Sequence, residues 1–391
     1  MLRRNIDVKV TLLSDLHIGT GVSFIQGLDW IKRADGYVYF ANHAAVAEEV
    51  LERAAADGKD EREVVNTISG MTLDDLVDAG WLDAADFHVP SPQFFYRLRG
   101  TPASTQIREQ VKTVYRQLYL PGSSLKGALR TVIATVAANE LQPDVSVGDL
   151  GRRRTWAAQS IERVLFGKDP SHDFLRMLQV SDSAPIDLGN LRLRQAHIYP
   201  TASRTQRGRS RGLDIDLETV AEGAEFSLQI HMPLELLQSG PSDFDARRHQ
   251  ELQDWERRLP WLSRLAAHGR EYARQLLIEE VTYFQPRTDV PAVHGFYNDL
   301  ATRFSRLKKN QFLLPLGWGT GWHTKTLNQY LKKDAKNFEA IAGQYRLDPT
   351  GDRKPGDRFP KSRHLLRQPN GQAGKPLGWC LVELRERQAI S

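Results

Sequence analysis

Residues 113–141, TVYRQLYLPGSSLKGALRTVIATVAANEL, predict a strand, a tight turn and a helix in direct succession. Pro121 and Gly122 favour the turn, because proline fixes φ and glycine tolerates the dihedral angles that turns require. A hydroxyl group of Ser123 or Ser124 can cap the helix that follows. Apolar side chains then recur at helical spacing, as in a helix packed on a core: Leu125, Leu129, Val132, Ile133 and Val136.

The rest of the chain also alternates strands with helices. Alternating and β-branched runs predict strands at 36–41, 176–185, 192–200, 224–233 and 376–384, and a strand that runs into a loop at 7–19. Helical spacing of apolar residues predicts helices at 44–69, 255–281, 296–308 and 328–345. We expect Pro260 to interrupt the second of these. The segment 346–376 has the glycines, prolines and charges of a loop.

The order β-α-β-β-α-β occurs twice along the chain, which predicts an α+β fold of two ferredoxin-like units. The predicted N-terminal domain is 1–187, with an acidic helical insertion at about 44–90. The predicted C-terminal domain is 188–391 and carries a glycine-rich loop at 317–321. The two halves show no repeat in sequence.

Composition places the chain among globular proteins: of 391 residues, 40% are hydrophobic and 26% are charged. The single cysteine, Cys380, cannot form an internal disulfide, which fits a reducing cytoplasm. Charged residues at Asp7, Lys9 and Asp15 interrupt the N-terminal apolar run and argue against a signal peptide. The longest apolar run, 132–138, is too short to cross a bilayer. We therefore expect a cytoplasmic protein without a membrane partner.

The net charge of +5 is unevenly distributed. Residues 48–86 hold twelve acidic residues against three basic ones, whereas residues 303–336 hold eight basic residues against one acid. The run SRTQRGRSRG at 203–212 adds four arginines and no acid. Each run alone is typical of a solvated surface, but two basic runs together with glycine-rich loops indicate a surface for a polyanion.

Lys126 and Arg130 lie four residues apart near the start of the predicted helix. Cations there oppose the helix dipole and repel each other, and Gly127 between them lowers helix propensity by about 1 kcal/mol relative to alanine. A phosphate at the helix start would reverse these costs, because free N–H groups, the dipole and both cations favour an anion. The segment is therefore a candidate anion site, and a helix with solvated cations is the alternative.

The run LPLGWGTGWHTKT at 314–326 contains three alternating glycines. It is not a Walker loop, because Thr324 stands where glycine must precede Lys325. It is not a dinucleotide fingerprint either, because Trp322 stands where the last glycine is required. What remains is a flexible backbone that can approach a polymer closely, with Lys325 and His323 available to phosphates.

Trp318 and Trp322 in this loop have two interpretations. Base stacking by tryptophan is worth about 1–3 kcal/mol per base. Tryptophan is also a frequent core residue, and two of them four residues apart can both point inward. Burial is the slightly favoured interpretation.

The N-terminal run DLHIGTG at 15–21 is a shorter glycine-containing loop of the same kind. It has a strand end, then His17, then Gly19 and Gly21. His17 as a general base would need an acid partner, and its neighbours in sequence supply none. A hydrogen-bonded structural or contact role is the favoured interpretation of His17.

Four stretches together resemble a known family. They are LHIGTG (16–21), LPGSSLKGALRT (120–131), LQVSDS (178–183) and LGWGTGWHTKT (316–326), and the tail FPKSRHLL…KPLGWCLVEL (359–384) adds a fifth. In this order they resemble the RAMP superfamily of CRISPR-associated proteins, and within it the fifth-named subunit of the type III-A Csm effector complex. The motifs span nearly the whole chain.

The resemblance implies two RRM-like (ferredoxin-like) domains at the head of a ribonucleoprotein filament. There the subunit would hold the 3′ part of the crRNA and contact the last backbone RAMP subunit. It would support crRNA maturation by directing trimming nucleases rather than by cutting. No catalytic set, metal or cofactor is implied. The candidate RNA-binding residues are His17, Gly19, Gly21, Gly122, Ser123, Ser124, Lys126, Gly127, Arg130, Arg204, Arg207, Arg209, Gly317, Trp318, Gly319, Gly321, Trp322 and Lys325.

Two alternatives to a non-catalytic RNA-binding subunit stay open. A metal-independent endoribonuclease, like the superfamily's pre-crRNA processing enzymes, would need His17 or another histidine beside a second acid–base group. A neighbouring RAMP subunit, such as the one that holds the 5′ tag, is disfavoured by the tail motif at 359–384.

Overall fold

The structure, a computed structural model, describes residues 4–83, 85–145, 148, 150, 158–199, 214–237, 246–325, 327–347 and 354–387. Within these residues the strands are β1 (Arg4–Leu12), β2 (Gly19–Ile25), β3 (Trp30–Lys32), β4 (Tyr37–Ala41), β5 (Phe94–Arg99), β6 (Gln106–Gln110), β7 (Gln179–Val180), β8 (Leu191–Tyr199), β9 (Ile215–Val220), β10 (Glu225–Met232), β11 (Gln311–Pro315), β12 (Arg363–Arg367), β13 (Ala373–Pro376) and β14 (Trp379–Glu386). The α-helices are α1 (His43–Ala56), α2 (Glu61–Ile68), α3 (Leu73–Asp78), α4 (Gly122–Leu141), α5 (Gln159–Phe166), α6 (Ala246–Ser263), α7 (Leu265–Phe284), α8 (Pro291–Ser305), α9 (Asn328–Leu331) and α10 (Ala335–Gln344). In this part of the chain, no helix is both long and apolar enough to span a bilayer.

The five-stranded sheet has the order β11-β14-β1-β10-β7, with antiparallel pairing throughout. Its central strand, β1, alternates buried and accessible residues, so one face is packed and the other is open. Along the chain, α4 lies between β1 and β7, and α7 lies between β10 and β14. These six elements form a βαββαβ unit with the first strand between the third and the fourth, as in ferredoxin-like folds. The predicted α+β, ferredoxin-like class is confirmed.

A second sheet has six strands in the order β13-β12-β8-β9-β6-β2, and only β6 and β9 are parallel. A third sheet, β3-β4-β5, and the helices α1, α2 and α3 belong to the acidic insertion, which the sequence predicts at about 44–90. Because of the strands, the insertion begins at Trp30 and ends at Arg99 in the structure. The insertion has two packed sides: Trp30 and Phe40 face the main core, while Ile31 and Tyr39 face a second core under the helices.

Both larger sheets combine strands from the two halves of the chain. In the five-stranded sheet β1 pairs with β10 and β14, and in the six-stranded sheet β6 pairs with β9. The division of the chain at 187/188 stays a prediction, since neither sheet lies on one side of that position.

Two predicted strands are shorter than expected. At 113–119 the structure has isolated bridges from Leu118 to Lys112 and to Ile186 instead of a ladder. Residues 113–117 form a turn, because the Thr113 carbonyl accepts the Arg116 N–H and a positive φ of 61° at Arg116 reverses the chain. The strand predicted at 176–185 is reduced to the two residues of β7.

The helix predicted at 328–345 is divided into α9 and α10, and the loop predicted at 346–376 contains the strands β12 and β13. Three further details of the predicted helices differ from the structure. The helix predicted at 44–69 is divided into α1 and α2, and Gly58 in the connection has a φ of 73°. Pro260 is accommodated inside α6, and the break comes at Arg264, whose N–H still bonds to the Pro260 carbonyl at 3.1 Å. The predicted serine cap of α4 is wrong, because the helix already begins at Gly122 and no side chain of its N-cap residue bonds to it.

A glycine sets the distance between α7 and the five-stranded sheet. A Cβ atom at Gly269 would lie 2.3 Å from the ring of Phe312 on β11. Both residues are buried, and Phe312 belongs to the main core. The close approach lets α7 pack directly on an edge strand of the sheet.

We expect Gly269→Ala to destabilise the protein by about 1–3 kcal/mol, because the added methyl group overpacks the core. Gly295→Ala is the matched control, since Gly295 is also helical but has no heavy atom within 4 Å of the added Cβ. It should stabilise the protein by up to about 1 kcal/mol through helix propensity. Urea unfolding measures both, and equal effects would contradict the packing argument.

Candidate nucleic-acid interface

The structure brings the two glycine segments at 17–21 and 317–321 together. The Trp318 N–H donates to the His17 carbonyl at 2.8 Å. Gly317 has a φ of 79°, and a Cβ atom there would lie 2.4 Å from the same carbonyl oxygen. Position 317 therefore requires glycine for two reasons, its dihedral angle and the approach of another backbone. We call the pair of segments the glycine cradle.

Hydrogen bonds to neighbouring backbone fix the shape of the glycine cradle. The Gly378 N–H donates to the Asp15 carbonyl at 2.9 Å, and the Leu316 N–H donates to the Gly378 carbonyl at 2.8 Å. The Thr324 hydroxyl donates to the Gly321 carbonyl at 2.9 Å. The N–H groups of Gly319 and Gly321 donate no hydrogen bond within the part of the chain that the structure describes. They are available to an anion.

Trp318 is half-buried, and its ring contacts the side chains of Arg108 and His364. The Arg108 guanidinium lies 4.8 Å from the centre of its ring, and the His364 ring lies 4.7 Å from it. Trp322 packs instead on Phe338 and Phe359. Both tryptophans thus have packing partners, and base stacking by either stays a prediction.

Arg108 on β6 is a candidate contact that the sequence did not reveal. Its side chain is half-buried, stacks on Trp318 and forms no ion pair with an acid among the described residues. An arginine held on an aromatic ring presents its N–H groups in a fixed orientation, which suits phosphate. In the sequence it stands in QIREQ (106–110), a short charge-balanced run where no strand was predicted. The run has a single apolar residue, Ile107, so no apolar alternation marks it as a strand.

His17 is buried, and its ring orientation is fixed. Its Nδ1 lies 2.7 Å from the Glu218 carbonyl and must donate, because a carbonyl only accepts. Burial lowers the pKa of His17 from 6.5 to about 4, and the nearby charges of Arg108 and Lys112 act in the same direction. The ring is therefore neutral at pH 7 and hydrogen-bonded, which fits the structural or contact role favoured from the sequence. RNA binding by His17 stays a prediction.

A buried carboxylate positions the residues around His17. Glu218 on β9 accepts from the Lys112 ammonium at 2.5 Å and from the Tyr96 hydroxyl at 2.6 Å. It also accepts the Gln110 N–H at 2.9 Å. These contacts join β5, β6 and β9 directly behind the glycine cradle. Burial raises the pKa of Glu218, while the three donors favour its charged form.

The start of α4 already has an anionic partner. The Gly122 N–H donates to the Asp182 carboxylate at 2.7 Å, and a Cβ atom at Gly122 would lie 2.4 Å from the Ser181 carbonyl oxygen. Arg130 bonds to Asp173 at 2.7 Å and to Glu162 at 3.0 Å. Carboxylates from other segments thus occupy the first N–H and Arg130, so the helix start does not have the two free cations that the sequence suggested. Anion binding at Lys126 stays a prediction.

The exposed residues of this helix face are Ser123 and Gly127, and a Cβ at Gly127 would meet nothing within 4 Å. Gly122 packs beside β7, whereas the glycine cradle follows β1, and β10 lies between the two strands. Since β1 and β7 are both antiparallel to β10, they run in the same direction. Through β10, the two residues of β7 are level with Asn5 and Ile6, so the α4 start lies beside the first half of β1, whereas the glycine cradle follows the end of β1.

The remaining candidates are placed as follows. Gly19 and Gly21 open β2 and are exposed. Lys325 is exposed at the end of the glycine loop and forms no ion pair with an acid among the described residues. Arg204, Arg207 and Arg209 lie outside the described residues. Within the described ranges, no group of His, Cys, Asp and Glu side chains is arranged to hold a metal ion.

Comparison with known proteins identifies the class. The RAMP superfamily model matches residues 9–322, and the chain belongs to that superfamily. Over 409 aligned residues it is 24% identical to the CRISPR system protein Csm5 of Methanocaldococcus jannaschii, covering 97% of this chain and 89% of the relative.

Two solved structures share the fold. A chain of a cryo-EM Csm–crRNA–target RNA ternary complex of a type III-A CRISPR-Cas system has a TM-score of 0.65 and 20% identity, with 97% of this chain and 100% of that chain covered. The crystal structure of T. onnurineus Csm5 has a TM-score of 0.59 and 20% identity, with 96% and 99% covered.

We expect Gly317→Ala to be more damaging than Gly321→Ala. Both glycines have positive φ, which costs a non-glycine residue about 1–3 kcal/mol. Only Gly317 also lies against the His17 carbonyl, whereas a Cβ at Gly321 meets nothing within 4 Å. Thermal unfolding of the two variants measures the difference, and equal melting temperatures would show that the contact between the two segments is not constrained.

We expect stability to fall as the pH is lowered from 6.5 towards 4, because unfolded His17 binds a proton that the folded ring does not. One such group contributes up to about 1.4 kcal/mol per pH unit. His17→Asn, which keeps an N–H near the Glu218 carbonyl, should reduce this slope in urea unfolding. The control is His88→Asn, since the exposed His88 also places Nδ1 at 2.7 Å from a carbonyl. An unchanged slope in His17→Asn would contradict the lowered pKa.

Proposed function

We propose that this protein is a non-catalytic, crRNA-binding subunit of a type III-A CRISPR ribonucleoprotein complex. The observation that carries the proposal is the glycine cradle, whose Gly319 and Gly321 N–H groups donate no hydrogen bond within the described residues. The same loop carries Trp318, on which Arg108 stacks, and the exposed Lys325. Backbone donors and cations on rigid supports suit a ribose-phosphate strand, which is recognised largely through its phosphates.

The relatives support this assignment. One is named as the Csm5 protein of a CRISPR system, and another similar chain belongs to a complex of Csm proteins with crRNA and target RNA. Both comparisons cover 97% of this chain, so the likeness extends along nearly its whole length. By analogy, we assign the chain a place among Csm subunits.

The finer role follows the same analogy. We propose that the subunit lies at the head of the filament, holds the 3′ part of the crRNA and contacts the last backbone RAMP subunit. Its part in crRNA maturation would be to direct trimming nucleases, so the proposed partners are crRNA, that backbone subunit and those nucleases.

The local chemistry favours holding RNA over cutting it. His17 is buried, neutral and engaged through Nδ1, and Glu218 is enclosed by its own donors. A general acid–base pair must reach the scissile phosphate and the attacking hydroxyl group, and neither side chain is accessible enough to do so.

We expect Arg108→Ala and Lys325→Ala each to weaken binding of single-stranded RNA and to flatten its salt dependence by about 0.7 for each phosphate that is no longer neutralised. The matched control is Arg33→Ala, because the Arg33 guanidinium also stacks on an aromatic ring, at 4.3 Å from Phe87, but lies in the acidic insertion. Fluorescence anisotropy at several salt concentrations measures the slopes. Unchanged slopes in both variants would remove the glycine cradle from the RNA-binding surface.

The same purified protein tests the catalytic alternative. Incubation with end-labelled crRNA precursor, without partners or metal, should leave the RNA intact. Cleavage at a single site that is abolished in His17→Asn would replace the proposed role with that of an endoribonuclease.

A further inference from the structure

We propose that the turn at 113–117 is a docking point for an apolar surface of the adjoining protein subunit. The inference rests on the proposed function, which places a backbone RAMP subunit beside this chain, and it names the part of the chain that binds that subunit. Val114 and Tyr115 at the tip of the turn are 89% and 83% exposed. Among the large apolar side chains that the structure describes, these two are the most exposed, and Val22 follows. Single exposed apolar residues are common, whereas several together mark a binding surface.

Hydrogen bonds close the turn beneath its tip. The Thr113 N–H donates to the Gln117 carbonyl at 2.9 Å, and the Gln117 N–H donates to the Thr113 hydroxyl at 3.2 Å. Lys112 and Leu118 form an antiparallel bridge at its base. A turn that is ordered in the free protein loses little further backbone entropy when a partner binds its tip.

Arg116 connects the turn to further exposed apolar residues. Its guanidinium lies 4.0 Å from the centre of the Phe95 ring and 3.7 Å from the Glu109 carboxylate, and Phe95 is still exposed. The same carboxylate accepts from the Thr20 hydroxyl at 3.0 Å, and that hydroxyl accepts the Val22 N–H at 3.1 Å. A chain of contacts thus runs from the turn to β5 and to β2. We call the four exposed residues that it connects the apolar patch: Val22, Phe95, Val114 and Tyr115.

The charges at the apolar patch are paired, which favours a protein partner over RNA. Arg116 pairs with Glu109, and the buried Lys112 side chain bonds to Glu218. Binding of a ribose-phosphate strand depends on cations that are free to neutralise phosphates. The Arg116 guanidinium already lies over the Phe95 ring, and two of the four patch residues are valines, which have no aromatic face for a base.

An apolar protein surface is the partner that this composition fits. Tyrosine, phenylalanine and arginine are enriched in protein interfaces, and charged residues are depleted at their centres. Residues 18–28, which include β2, contain neither a charged residue nor a proline. β2 is an edge strand of the six-stranded sheet, and charge and proline are common means of keeping such an edge free of other chains. This side of the protein therefore carries little that would repel an apolar partner.

The test compares the tip double variant Val114→Ser, Tyr115→Ser with the control double variant Ile278→Ser, Val281→Ser, which removes an exposed apolar pair from α7. The probe is the backbone RAMP subunit of the same organism, assembled on a crRNA that ends at the last backbone subunit, so that no free RNA strand is left for this chain. Biolayer interferometry measures its affinity for each variant.

The tip double variant should bind the probe about 30-fold more weakly, as is typical when central interface residues are truncated. The control double variant should bind like the unsubstituted protein. Because the contact is apolar, the tip double variant should leave the salt dependence of the affinity unchanged. Its melting temperature should also stay the same, since both residues are exposed. Tyr115→Glu alone, which places a charge in the apolar contact, should weaken binding in the same direction.

Unchanged affinity in the tip double variant and in Tyr115→Glu overturns the inference and leaves the proposed function standing. An equal loss in the control double variant overturns it as well, because any exposed apolar pair would then matter. If the unsubstituted protein does not bind the probe, the contact with the backbone subunit and the inference fail together, while Arg108→Ala still tests RNA binding separately.

Two further measurements test other occupants of the apolar patch. Weaker binding of free single-stranded RNA by the tip double variant would make the tip a base-stacking surface. Sedimentation of the protein alone tests a second copy of this chain, and a dimer that the tip double variant abolishes would assign the patch to that copy. Either result overturns the inference.

Discussion

The buried ion pair between Glu218 and Lys112 is the interaction on which the candidate interface depends. The Glu218 side chain holds β5 and β6 against β9, while its own carbonyl fixes the His17 ring. The His17 carbonyl in turn accepts the Trp318 N–H, so one residue on β9 positions both segments of the glycine cradle. Removing one partner of such a pair leaves a buried charge and costs about 3–5 kcal/mol. The pair is therefore better understood as a device for orienting loops than as a source of net stability.

The sequence predicted those elements whose pattern is clean. The alternation in 224–233 and 192–200 located β10 and β8 to within one residue at each end. The pattern did not predict β9, because this strand is packed on both faces and buries the polar residues Asp216, Glu218 and Thr219. These polar residues interrupt the apolar pattern. Glycine spacing identified the loop at 317–321 but could not reveal its partner, because no local signal links two segments at opposite ends of the chain. For the same reason the sequence did not predict the carboxylates that bond to the Gly122 N–H and to Arg130.

The open face of the five-stranded sheet explains why loops rather than strands are the candidates for RNA contact. RRM domains stack bases on aromatic residues of that face. Here β1 and β10 expose no Phe, Tyr or Trp, and their charged residues pair with each other or with nearby segments. Lys9 bonds to Glu225 at 2.8 Å, and Arg387 bonds to Asp7 at 2.9 Å. Because the charged residues of this face are paired, few of them are available to bind a polyanion. The ferredoxin-like unit therefore supports the loops that are the candidates for RNA contact.

The acidic insertion shares a wall with the main core, and that arrangement has a mechanical consequence. On β3 and β4, neighbouring side chains point into different cores, so neither core can shift without displacing the strands that bound the other. β5 completes this wall and carries Tyr96, whose hydroxyl donates to Glu218. A displacement of the outer helices would therefore reach Glu218, which positions the glycine cradle, through the three-stranded sheet.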